Sequence, residues 1–170
     1  AHSFGTIGKT GCGVREHCDV EASDVDIWMG TLSKSLSAMG GFIAGKAALI
    51  QYLRYTTPGF VFAAGLPPTL GQAALSALRL MKEEPWRVER LQANCRYFHR
   101  VLNDRGLDTG PSLGETPVIP VITGDSMQAL LLSQRLLDVG INAKPIVYPA
   151  VANDAARLRF FITSLHTEEE

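Results

Sequence analysis

The chain has 170 residues, 46% of them hydrophobic and 19% charged, with a formal net charge of −1. That length allows one core or one and a half domains, and near-neutrality with scattered lysines and arginines leaves no electrostatic footprint for nucleic acid or an anionic membrane surface. Cys12, Cys18 and Cys95 are odd in number and form no CxxC pair, which points away from a disulfide framework or a zinc site and fits a reducing cytoplasm. No apolar stretch reaches the ~20 residues of a membrane helix.

Residues 1–20 read as a glycine-punctuated loop. Residues 25–31 form an apolar run bounded by Asp24 and Gly30, the pattern of a buried strand, and residues 41–45 read as a second short strand closed by Gly45. Lys46 to Arg54 suits a helix that Thr56-Thr57-Pro58-Gly59 stops, and Phe60-Val61-Phe62 reads as a short extended piece. Pro68 is tolerable in the first turn of a helix. That helix runs to about Glu84, with Leu70, Ala74, Leu78 and Met81 at helical spacing. Pro85 breaks it, and Val88, Leu91, Cys95, Phe98 and Leu102 mark a second helix that Arg105-Gly106 ends.

From Leu107 the pattern is that of a small α/β domain. Val118 to Ile122 is an apolar strand whose central Pro120 argues for an edge position or an irregularity. Asp125 opens a helix with Gln128 as a capping-box partner, and Gly140 stands where a left-handed carboxyl cap belongs. Ile141 to Tyr148 reads as extended. Over Arg157 to Thr163, Leu158, Phe160 and Ile162 share one strand face and Arg157, Arg159 and Phe161 the other. The chain closes on an acidic end, Glu168 to Glu170. The domain boundary is placed just after Pro85, giving segments 1–85 and 86–170.

Lys34 is the residue that carries chemistry. It follows the 25–31 strand in Thr31-Leu32-Ser33-Lys34-Ser35, just before Gly40-Gly41, so the strand delivers it to a turn at its carboxyl end, where open α/β sheets place ligands. A lysine held there sheds part of its hydration, which favours the neutral amine that condenses with a carbonyl. Hydroxyls one and three residues earlier, on Ser33 and Thr31, are placed to hold a phosphate. The combination suits a Schiff-base lysine carrying pyridoxal phosphate (PLP); taken alone, the segment reads more readily as a solvated loop lysine, since short Ser/Thr/Lys clusters are common in loops. Gly8-Lys9-Thr10 imitates the end of a nucleotide P-loop, but Ser3 stands where that motif needs its first glycine and no strand precedes it.

The wider set of motifs settles between these readings. In order they are Ala1-His2-Ser3-Phe4-Gly5, the Lys34 segment with Gly40-Gly41 behind it, Phe62-Ala63-Ala64-Gly65-Leu66-Pro67-Pro68, Tyr148-Pro149-Ala150, Ala156-Arg157-Leu158-Arg159-Phe160 and His166-Thr167-Glu168. In this order and spacing the chain resembles the α-oxoamine synthase family of PLP enzymes over its whole length. The resemblance implies an α/β chain of PLP-dependent fold type I. Residues 1–85 would be part of the large mixed-sheet domain that binds PLP, and 86–170 the small carboxyl-terminal α/β domain.

The implied reaction is a decarboxylating condensation of an amino acid with an acyl-CoA or carrier-bound acyl thioester, giving an α-aminoketone. By the same resemblance Lys34 holds the cofactor and acts as base, and His2 lies by its phenolic oxygen and the substrate. Thr31 and, less directly, Ser33 hold the phosphate. Arg159 receives the amino-acid carboxylate through its planar fork, with Ala150 nearby where some relatives carry threonine. The intact protein is expected to be a cytoplasmic homodimer; Ala63 and Ala64 stand where relatives carry a partner-contacting hydroxyl.

Family members carry an Asp-Glu pair directly before the Ala-His-Ser at which this chain opens, and the aspartate meets the cofactor's ring nitrogen. The chain is therefore expected to be the carboxyl-terminal part of a larger polypeptide, inactive by itself. An aminotransferase of the same fold and a non-catalytic subunit that keeps the fold are the alternatives. The first would release a keto acid rather than CoA, and the second would bind no PLP.

Overall fold

The computed structural model describes residues 2–169; Ala1 and Glu170, at the ends of the opening motif and the acidic end, lie outside the described residues. The chain divides into two compact units, Ala1–Val88 and Glu89–Glu170.

In the first unit the glycine loop folds back on itself, with Gly5 N donating to Gly11 O at 2.7 Å and Gly13 N to Ile7 O at 3.0 Å. It contains one helical turn, α1 (Val14–His17). Strands β1 (Ile27–Thr31) and β2 (Gly41–Gly45) pair antiparallel, Ile27 opposite Gly45 and Thr31 opposite Gly41. Gly30 stands opposite Phe42, and a methyl at 30 would collide with the Phe42 ring; glycine lets that ring lie across the neighbouring strand. Helices α2 (Ala47–Thr56), α3 (Pro58–Val61) and α4 (Pro68–Glu83) follow. The core gathers Leu32, Leu36, Ala38 and Ala74, with Phe4, Leu70, Ala77 and Leu78 packed against it. The apolar face of α4 thus lies beneath the turn that joins the two strands.

Two expectations fail here. Phe60-Val61-Phe62 is not extended: Pro58 takes the first helical position of α3, where its missing N–H costs nothing, and Phe62 caps the turn. Strand β1 is not buried, since Ile27 and Met29 are exposed, as are Phe42 and Ile43 of β2. An apolar run marks a face able to be buried but does not say what covers it, and no described residue covers this one.

Helix α5 (Trp86–Asp104) begins right after Pro85. Its end is a Schellman cap: Gly106, at φ +72, donates to Asn103 O and Leu107 donates back to Leu102 O. In the second unit β3 (Val118–Ile122), β4 (Lys144–Ile146) and β5 (Arg157–Phe161) form an antiparallel sheet in the order β3-β5-β4. Pro120 therefore sits on an edge strand, where a residue without an N–H is tolerated.

Cys95, Leu102, Ile119 and Val121 make the core of this unit, joined by Leu91, Phe98, Phe160 and Ile162. The Phe98 and Phe160 rings lie tilted at 5.2 Å between centroids. Burial pushes the Cys95 thiol up to about 11, with nearby Arg96 opposing it. Helix α6 (Ser126–Asp138) starts at Asp125, whose carboxylate accepts from Met127 N at 2.8 Å; the cap is this bond rather than a reciprocal pair with Gln128. Gly140, at φ +90, closes it in a second Schellman cap, with Ile141 N donating to Leu136 O. Only Lys144–Ile146 of the expected 141–148 strand pairs with a neighbour, and Tyr148-Pro149 is a cis peptide. Among the described residues no helix is long and apolar enough to cross a membrane.

Candidate active site

The turn between β1 and β2 sorts its side chains by burial. Leu32, Leu36 and Ala38 point into the core while Ser33, Lys34 and Ser35 are exposed. Leu32 N donates to Gly40 O at 2.9 Å and Ala38 N to Leu32 O at 2.8 Å, which close the turn. Apolar residues at 32, 36 and 38 thus anchor it, and the anchoring presents Lys34 outward. The desolvation expected of Lys34 is not supplied by the described residues, because its surroundings are as open as the β1 face.

Thr31 and Ser33 come together as the spacing suggested. Their hydroxyl oxygens are 2.7 Å apart, Ser33 N donates to Thr31 Oγ1 at 3.2 Å, and Thr31 Oγ1 donates to Gly40 O at 3.3 Å. The bond to Gly40 is long, so it is the one that gives way when an acceptor approaches from outside. That frees the Thr31 O–H beside the lysine, with the Ser33 hydroxyl still donating to Thr31 Oγ1.

The loop that carries His2 is fastened to this turn. Ser35 Oγ, next to Lys34, donates to Phe4 O at 2.6 Å. Approach is so close at this point that a methyl on Gly5 would stand 2.5 Å from Ser35 Cβ. Thr6 Oγ1 donates to His2 O at 3.0 Å and to Ser3 O at 2.9 Å, and the His2 side chain is exposed. Glu16 secures the far end of the loop: its carboxylate accepts from Thr10 N at 2.9 Å and Cys12 N at 3.1 Å. Partial burial pushes the Glu16 carboxyl up, but these amides and the charge of Lys9 outweigh it and hold it below its ordinary value.

Ser35, Gly5 and Glu16 were not singled out from the sequence. The sole signal for Ser35 was its place next to Lys34, and its partner lies 31 residues away. Two open clefts of this unit run along α2 and α3, lined by residues such as Ile43, Ile50, Arg54 and Tyr55 and by Phe60, Ala63 and Gly65; Lys34 and His2 line neither.

In the second unit Arg157 and Arg159 share a face of the central strand and differ in their bonds. Arg157 Nε donates to Ala155 O at 2.8 Å. The Nε of half-buried Arg159 is fully buried and has no hydrogen-bond partner among the described residues, and its guanidinium lies 5.4 Å from the Phe161 ring centre. A buried donor left unpaired costs roughly 1–3 kcal/mol, so Arg159 is the arginine that gains from an incoming acceptor. Ala150 is exposed, on the loop that leads from β4 back to β5.

Comparison with known proteins agrees with this architecture. The aminotransferase class I and II family model matches residues 1–170, and the chain belongs to that family. Its fold is that of the fold-type I PLP-dependent transferases, as close structural neighbours show. The structure of Sphingomonas wittichii serine palmitoyltransferase matches at TM-score 0.90 and 34% identity, over 99% of this chain and 42% of that one. The 8-amino-7-oxononanoate synthase of Francisella tularensis matches at 0.86 and 26%, over 98% of this chain and 48% of that one.

Among curated proteins, the 8-amino-7-oxononanoate synthase of Symbiobacterium thermophilum is 42% identical over all 170 residues, which is 43% of its own length. The Bacillus subtilis protein named 8-amino-7-oxononanoate synthase 1 is 39% identical, again over 43% of its length. The chain thus spans less than half the length of the curated relatives it matches.

Proposed function

We propose that this chain supplies the lysine-bearing and carboxylate-binding parts of a PLP-dependent α-oxoamine synthase, which condenses an amino acid with an acyl-CoA or carrier-bound acyl thioester and releases carbon dioxide. The observation that carries the reading is the β1–β2 turn. Lys34 stands outward beside the paired hydroxyls of Thr31 and Ser33, and Ser35 ties the same turn to the His2 loop. A solved neighbour is serine palmitoyltransferase with PLP, and the residues here fit that cofactor. The Thr31 hydroxyl, backed by Ser33, suits its phosphate, and an exposed primary amine suits its aldehyde. In this reading residues 1–85 belong to the PLP-binding domain and 86–170 form the small domain.

When bound, PLP supplies an electron sink for charge developing at the substrate Cα. The chain's own residues do the rest. Lys34 Nζ would hold the cofactor through its aldehyde carbon, and its amine is the base that would take the proton from the substrate Cα. Thr31, with Ser33 behind it, would hold the phosphate. His2, held through its backbone by Thr6, donates a hydrogen bond beside the reacting centre. Arg159 takes the substrate carboxylate on its planar fork, satisfying its own buried Nε–H, and Ala150 leaves room where a bulkier side chain would crowd the substrate. Three free thiols support a cytoplasmic setting, and the exposed Tyr55, Phe60 and Phe62 support a homodimer.

The test is product analysis on the intact protein, with 8-amino-7-oxononanoate, the product named by the relatives, assayed first. Release of free CoA and carbon dioxide that depends on an amino acid is the expected result. Formation of a keto acid without CoA would make the protein an aminotransferase, and absence of PLP absorbance would make it a non-catalytic relative.

A further inference from the structure

The loop from β4 to β5 carries Ala150 and feeds the strand that bears Arg159. It is pinned at two places to one short segment, residues 123–126. The first pin is at its end. The carbonyl of Ala156, a fully buried residue, accepts from Thr123 N at 2.8 Å, Thr123 Oγ1 at 2.9 Å and Gly124 N at 3.3 Å. The second is Ser126. Its hydroxyl donates to Asn153 Oδ1 at 2.6 Å and accepts from Tyr148 N at 3.3 Å, bridging the two ends of the 148–153 loop.

Ser126 is not needed as a helix cap, because Asp125 already accepts from Met127 N. Its hydroxyl is therefore committed to the loop. Asn153 opens the helical turn Asn153–Ala155, which runs straight into Ala156 and then Arg157. Ser126 thus holds the approach to β5 at one end and the Tyr148-Pro149-Ala150 segment at the other.

We infer that Ser126, acting through Asn153, is a positioning residue for amino-acid binding: it holds the 148–153 loop in the conformation from which Ala150 and Arg159 meet the substrate. The inference rests on the function proposed above. Both groups it bonds lie in an exposed loop, where water replaces a lost hydrogen bond at little cost to folding. What goes is the loop's single conformation, and the loss falls on the ligand that needs it.

The experiment is steady-state kinetics of the intact PLP-loaded protein and its variants. Ser126→Ala should raise KM for the amino acid roughly three- to tenfold, the worth of the 2.6 Å bond to Asn153 with little added by the long 3.3 Å one from Tyr148 N. kcat, KM for the acyl thioester and the melting temperature should stay close to wild type. Asn153→Ala removes only the shorter of the two bonds and should raise KM for the amino acid by no more than Ser126→Ala does, and the double variant should be no worse than Ser126→Ala, which already lacks both. Ser126→Thr and Asn153→Asp keep donor and acceptor and should restore the wild-type KM. A Ser126→Ala protein that loses stability along with both substrates would show a merely structural hydroxyl and overturn the inference, as would unchanged kinetics. A wild type that releases no CoA sinks the function itself, and this inference with it; a wild type that turns over beside an indistinguishable Ser126→Ala sinks only the inference.

Discussion

Gly5→Ala tests whether the His2 loop is locked onto the lysine turn. Gly5 has φ +77, in the left-handed region, where an L-residue loses about 1–2 kcal/mol. The added methyl would lie 2.5 Å from Ser35 Cβ and 2.7 Å from its Oγ. Rotation of the hydroxyl relieves the second contact but not the first, because Cβ moves only with the backbone beside Lys34. Forcing such a contact costs a further 1–3 kcal/mol or so, giving a total of about 2–5 kcal/mol. Gly65 is the control. It has φ +85 but nothing within 4 Å, so Gly65→Ala meets the backbone strain alone.

Urea titration followed by tryptophan fluorescence reads the difference. Both tryptophans of this chain, Trp28 and Trp86, lie in the first unit with Gly5 and Gly65. With a urea slope of about 1–3 kcal/mol/M, the extra contact should put the Gly5→Ala midpoint roughly 1 M below that of Gly65→Ala. Equal midpoints would mean that the loop and the turn move apart freely, and Ser35 would then hold nothing in place.

Lys34→Ala and Lys34→Arg should both abolish turnover and PLP absorbance in the intact protein, since a guanidinium stays protonated and cannot form an imine; borohydride labelling at Lys9 or Lys46 would refute the assignment. Arg159→Lys should raise KM for the amino acid far more than for the acyl thioester, because an ammonium keeps the charge and loses the two-point geometry; equal losses would turn attention to Arg157. Glu16 has a lowered folded pKa, so its contribution to stability is present above its unfolded value and disappears as pH falls through the folded one. The stability gap between wild type and Glu16→Gln should therefore narrow below about pH 4.5, and a gap that widens there would refute the assigned role of the carboxylate. Asp125→Ala should lower stability by about 0.5–2 kcal/mol through loss of the α6 cap, measured by circular dichroism; no change would mean that solvent caps the helix equally well.

What the sequence made legible was local. Pro68 inside the start of α4, Pro85 before α5, and Gly106 and Gly140 past the helix ends each act within a few residues, and the helices begin and end where those residues demand. The Thr31–Ser33 pair was readable for the same reason, being two residues apart on a turn. Phe60 to Phe62 misled because β-propensity in three residues cannot outweigh a proline that has already set the first helical φ.

The parts that hold the candidate site together were invisible for the opposite reason. Ser35 meets Phe4 across 31 positions and Ser126 meets Asn153 across 27, and neither serine differs in composition or periodicity from the chain's other hydroxyls. The two arginines make the same point more sharply. Arg157 and Arg159 have the same chemistry, the same strand and the same face, so alternation alone could not separate them. Their neighbours do: Ala155 O satisfies one Nε, and the other is buried without an acceptor among the described residues. The resemblance had picked out Arg159 by position alone; the unmade bond gives a physical reason to test it first, and a sequence does not record which bonds the fold leaves unmade.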